Sequence, residues 1–126
     1  MRAFYIPIAV LILLVSASLI TGYYVQTSTS LWIDELHSAS ELANSGEWET
    51  AQHRISGITE DWLRHEEIFH ILLEHEDLDE TKEVLFSTLA ACRETDSVEF
   101  QIHVQLLISR LQFLTETQKA SLQNLL

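Results

Sequence analysis

Between Glu60 and Glu83 the chain sets ten carboxylates and three histidines, His65, His70 and His75, against two bases, Arg64 and Lys82. Carboxylates crowded on one helix repel each other, and imidazole adds a nitrogen donor, so the chemistry this composition favours is capture of a divalent cation. Glu66 and His70, then His70 and Glu74, stand four residues apart and can reach one ion from a single helical face, with His75 close behind. The run HEEIFH is not the H-E-x-x-H pattern of hydrolytic zinc. Its histidines are five residues apart, about 140° around a helix, so no zinc peptidase is expected. A second reading divides the same residues by face. His65 falls on an apolar stripe with Trp62 and Phe69, where a buried imidazole bonded to a neighbouring helix is the ordinary arrangement, and His75 can be placed likewise. Glu66, Glu67, Glu74 and Glu76 are then solvated or serve as helix caps. This structural reading leads, and a cation site of His70, His75, Glu66 and Glu74 is its alternative.

Other chemistry finds no constellation. The serines lack a strand-turn-helix setting, no glycine-rich phosphate loop occurs, and neighbouring carboxylates on an acidic face are not a general acid and base. Cys92 is the single cysteine, so no intramolecular disulfide can form. Leu85 and Leu89 share its helix face, which points to packing, with an intermolecular bridge left open. No catalytic residue, cofactor or enzymatic activity is expected.

The elements that must position these residues begin with an apolar segment. From Ala3 to Ile33 no side chain is charged. The densest part, Ala3 to Val25, would span about 34 Å as a helix, enough for a hydrocarbon layer of about 30 Å. Pro7 lies near its start, and Tyr5, Tyr23 and Tyr24 lie near its ends, where amphipathic rings favour the interface. A cleaved secretory signal is the competing reading, with small residues at Val15-Ser16-Ala17. The apolar run continues past that point through Leu19, Ile20 and Val25, which favours an uncleaved signal anchor. Arg2 precedes the span and the first charge after it is Asp34, an asymmetry that keeps the N-terminus inside and exports the rest. The exported part then sets six bases against 19 acids, a formal charge of −13. Nucleic acid and anionic lipid heads are repelled by such a surface. A basic protein surface or a divalent cation is the partner it allows.

One proline and three glycines, all at or before Gly57, leave the later chain without breakers, and its apolar residues recur at helical spacing. The predicted fold is all-α: a transmembrane helix in residues 1–27, then an acidic bundle of about five helices in residues 28–126. Trp32, Leu36, Ala39 and Ala43 mark the inner face of a helix that stops near Asn44 to Gly46. Trp48, Ala51 and Ile55 mark a short second helix ending at Gly57, and Ile58, Trp62, His65, Phe69 and Leu72 a third, from Thr59 to about Glu76. Asp77 with Glu80, and Asp96 with Glu99, resemble capping boxes that open helices carrying Val84, Leu85, Leu89 and Cys92, and then Phe100, Val104, Leu107, Leu111 and Leu114. A last turn capped at Thr115 or Thr117 brings Leu122, Leu125 and Leu126 toward the core. The fragment Ala43-x-x-Gly46-x-Trp48-x-x-Ala51 has the spacing of a tetratricopeptide hairpin but does not recur about 34 residues on, so it is a local packing solution.

The span, the Trp48 hairpin, the stretch EEIFHILLEHEDLDE and the closing SLQNLL together resemble an uncharacterised bacterial family, domain of unknown function 4363. Its pattern of a tryptophan, then a histidine-acid-hydrophobe-Asp stretch, is matched by His75, Glu76, Leu78 and Asp79, and its Asn-apolar ending by Asn124, Leu125 and Leu126. The family usually closes on an aromatic where this chain has Leu126. The resemblance implies a short membrane-anchored protein of the bacterial cytoplasmic membrane and brings no enzymatic role. The expectation is a non-enzymatic module that acts through protein contacts in the cell envelope, with a cation-binding or sensing domain as the alternative.

Overall fold

The computed structural model describes residues 2–125, with side chains for 3–120. Four helices and three short connections make up these residues: α1 Arg2–Asn44, α2 Trp48–Leu72, α3 His75–Arg93 and α4 Ser97–Leu125. Connections of two or three residues turn each helix back along the one before it, each packs on its neighbours in sequence, and α4 closes against α1. The result is an up-down-up-down four-helix bundle on the end of a long first helix.

The inner faces follow the apolar periodicity. Val25, Trp32, Leu36, Ala39 and Ala43 of α1 are buried, as are Ala51, Ile55, Ile58, Trp62 and Phe69 of α2, Leu78, Leu85, Leu89 and Cys92 of α3, and Phe100, Val104, Leu107, Leu111 and Leu114 of α4. Their spacing of three and four suits helices packed nearly parallel to one axis. Three buried threonines of this core are satisfied locally. The hydroxyls of Thr59, Thr81 and Thr88 donate to the carbonyls of Ile55, Asp77 and Val84, one turn upstream.

Four helices form where five were expected, because Gly57 does not stop α2. A glycine inside a helix costs about 1 kcal/mol relative to alanine. Ile55 and Ile58 are both buried on the same continuous helix, and burying a large aliphatic side chain contributes roughly 1.5–3 kcal/mol, so continuity wins. Nor does the third segment reach Glu76. It ends at Leu72, and Leu73 and Glu74 are extended. Successive helical residues point about 100° apart; the break lets Leu72 and Leu73 both pack against the core. Glu74 therefore holds the N-cap of α3, and Asp77 sits inside the first turn instead of capping it.

The other ends match their signals. After α1, the Glu47 N–H bonds to the Leu42 carbonyl and that of Gly46 to Ala43, with Gly46 at φ 82. After α3 the same pair of bonds runs from Asp96 to Ala91 and from Thr95 to Cys92, but here a threonine takes the left-handed position, at φ 54. Asp96 caps α4 by accepting the Glu99 N–H at 3.1 Å. α4 passes Thr115 and Thr117 without the expected break. The Thr115 hydroxyl lies 3.3 Å from the Leu111 carbonyl and 2.8 Å from the Thr29 hydroxyl on α1, so it ties α4 to α1 and caps nothing. Leu126 and the side chains of Leu122 and Leu125 lie outside the described residues.

α1 has two environments. From Val25 onward one side of it is core, whereas none of its most apolar 18 residues is buried. At 1.5 Å per residue the helix is about 64 Å long, and the bundle covers little more than its C-terminal half. It crosses the expected boundary at residues 27 and 28 without interruption.

Candidate cation site at the span end of the bundle

α1 leads away from its apolar half and α2 returns toward it, so the turn between α2 and α3 lies at that same end. Contacts fix the level: the Phe69 ring, one turn before the end of α2, meets the Tyr24 ring edge-on at 5.8 Å. Tyr24 also flanks His65 at 5.6 Å. His65 is half-buried among Tyr24, Trp32 and Phe69, as its place on the apolar stripe implied, but its Nδ1 lies 2.7 Å from the Asp61 carbonyl of its own helix, not from a neighbouring one.

His70 occupies the last turn of α2 and His75 the first position of α3. The extended Leu73 and Glu74 fold the second helix back so that the two rings face each other, centroids 4.5 Å apart at 37°. Their Nδ1 atoms are separated by 2.9 Å. On the far side of each ring stands a carboxylate one helical turn away: Glu66 Oε1 is 3.6 Å from His70 Nε2, and Asp79 Oδ2 is 3.3 Å from His75 Nε2. Candidate ligand atoms of His70, His75 and Asp79 lie within 4.8 Å of one another. Two imidazoles and a carboxylate suit zinc-like ions, and the residues present fit such an ion.

Of the four residues read from the sequence, the fold brings His70 and His75 together, places Glu66 behind His70, and puts Glu74 on the exposed α3 N-cap. Glu66 carries a further contact, since Lys82 Nζ donates to Oε1 at 2.8 Å. That ammonium holds the Glu66 carboxyl below the usual range against the opposing push of burial, and His70 adds a smaller effect in the same direction. Asp79 is the residue the spacing argument passed over. Its signal was present, four positions after His75, the separation that singled out Glu66 and His70. His75 is exposed and does not occupy a core position.

A family model described as a domain of unknown function, DUF4363, matches residues 19–125. The chain belongs to that family. No curated protein and no solved structure matches the sequence. The match to DUF4363 takes in the whole bundle and the last turns of the apolar segment.

Two further surfaces of this DUF4363 protein bear on function. A cleft where α1 leaves the bundle is lined by Leu19, Gly22, Tyr23, Gln26, Thr115 and Lys119, so that α4 brings an ammonium to the level where the apolar half begins. On the outside of α4, Val98, Ile102, Leu106 and Phe113 are exposed, and their positions fall within about 80° of arc. No acidic residue occurs between Glu99 and Glu116, although 19 occur in the chain. An uncharged apolar stripe thus interrupts an otherwise acidic surface.

Proposed function

We propose that this DUF4363 protein is a non-enzymatic, membrane-tethered module that holds its helical bundle at the outer face of a bacterial cytoplasmic membrane and works there through protein contacts. The observation that carries the reading is the divided character of α1, one continuous helix whose C-terminal half supplies a wall of the core while none of its most apolar 18 residues is buried. A helix apolar all round and unpacked needs a nonaqueous surrounding, and a bilayer supplies it. Arg2 on one side and the acidic residues on the other favour export of the bundle. The α4 stripe supports the contact role, since a partner with an apolar centre and a basic rim would cover Ile102 and Leu106 and complement the chain's net negative charge.

Membrane tethering is tested by alkaline carbonate extraction of the full chain against one lacking residues 1–27. The full chain should stay in the membrane pellet and the shortened one should be released; release of both would refute the tether. For the contact role, a photo-crosslinker at Ile102 or Leu106 should capture a partner whose contact segment is apolar and basic, and Leu106→Glu should abolish capture. A product of twice the chain mass would replace that partner with a second copy, and an acidic or featureless contact segment would refute the assignment.

A further inference from the structure

The protons in the facing histidine pair can be accounted for. Each neutral imidazole carries one N–H, and in both rings Nε2 is the nitrogen that faces a carboxylate, Glu66 for His70 and Asp79 for His75. A carboxylate draws the ring proton to the nitrogen beside it, as carboxylate partners of metal-binding histidines do. Both Nδ1 atoms are then left without a proton, 2.9 Å apart. Such a pair repels unless something positive lies between.

We propose that this place holds a zinc-class divalent ion, bound through Nδ1 of His70 and Nδ1 of His75, with Glu66 and Asp79 behind the two rings orienting them through Nε2. Two nitrogens on a tetrahedral zinc at 2.0 Å stand about 3.3 Å apart, so the rings need to open by only a few tenths of an ångström to admit the ion. His75 is well exposed, with a side-chain accessibility of 76%, and its ring is free to make that movement. A carboxylate oxygen of Asp79 and one ring nitrogen of each histidine lie within 4.8 Å of one another, and the ion's remaining positions are open to water. Imidazole nitrogen selects zinc, nickel or copper over calcium and magnesium, which require oxygen cages. The ligands belong to two helices joined by a two-residue turn, so the ion would staple the end of α2 to the start of α3 on the side of the bundle nearest the apolar half of α1. The site is separate from the α4 stripe, and its failure would leave the contact role untouched.

The test uses the full chain in non-ionic detergent, stripped with a chelator and titrated with zinc chloride by calorimetry, with melting followed by circular dichroism. One ion per chain and a rise in melting temperature of several degrees are expected. Cobalt substituted for zinc should give a visible absorption band, a readout that does not depend on stability. His70→Ala or His75→Ala should abolish binding and the cobalt band, Asp79→Asn should weaken affinity about tenfold or more, and His53→Ala, on an exposed part of α2, should change nothing. Absence of zinc heat and of the cobalt band in the unsubstituted chain would overturn the proposal and leave a shared proton between the rings. Equal responses to calcium and magnesium, or binding that survives His70→Ala and His75→Ala, would also overturn it, since the acidic surface would then be responsible.

Discussion

The two buried tryptophans of the aromatic cluster allow a matched pair of perturbations. Trp32 and Trp62 are 2% and 1% exposed, their rings lie 5.5 Å apart, and both meet Phe69, so replacing either with phenylalanine removes the same atoms from nearly the same surroundings. Their indole N–H groups differ. That of Trp32 donates to Asp61 Oδ2 at 2.8 Å, whereas that of Trp62 is buried with no partner among the described residues. A hydrogen bond to a charged group contributes about 1.5–3 kcal/mol net, and a buried donor left unpaired costs about 1–3 kcal/mol. Asp61 is partly exposed and also neighbours Arg64, so the lower ends apply. Trp32→Phe should therefore be less stable than Trp62→Phe by about 2.5 kcal/mol. With a urea slope of roughly 1–3 kcal/mol/M, the unfolding midpoints should differ by about 0.8–2.5 M. Far-ultraviolet circular dichroism of the full chain in detergent reads the difference, because both variants keep their helices. If Trp62→Phe proves as costly as Trp32→Phe, the hydrogen-bond accounting of this cluster is refuted.

Three other outcomes follow from named contacts. Thr95→Gly should stabilise the bundle by about 0.5–1 kcal/mol, the strain of a β-branched residue at φ 54 outweighing the freedom glycine adds to the unfolded chain, and denaturant unfolding will show it. Because Lys82 lowers the Glu66 pKa in the folded state, the pair stabilises the fold above the ordinary glutamate value of 4.5 and loses that contribution as pH falls below it. Lys82→Met, unfolded in the presence of chelator, should lose stability at neutral pH, and the gap from the unsubstituted chain should shrink on acidification. Burial pushes the Cys92 thiol up and hides it, so alkylation at neutral pH should be slow and should accelerate only through the urea transition, when global unfolding exposes it.

The apolar half of α1 and the inner faces of all four helices were legible in the residues themselves. A helix period repeats every few residues, so Trp32, Leu36, Ala39 and Ala43, or Phe100, Val104, Leu107 and Leu111, declare a common face without reference to anything distant. Gly46 and Asp96 likewise marked ends, because a left-handed cap and a side-chain cap are local geometries. Where a local signal competed with packing, tertiary structure decided. Gly57 lost to the burial of Ile55 and Ile58, Asp77 lost its capping role when Leu72 and Leu73 both found core contacts, and Thr115 bonded across to Thr29 instead of ending a helix. The outer stripe of α4 could not be told from its core face in sequence, since Val98, Ile102 and Leu106 are as apolar as Val104 and Leu107, and only the positions of α1 and α3 decide which set is covered. The pairing of His70 with His75 had the same origin. Five residues on one helix would have set the rings about 140° apart, and they meet because Leu73 and Glu74 break the helix between them.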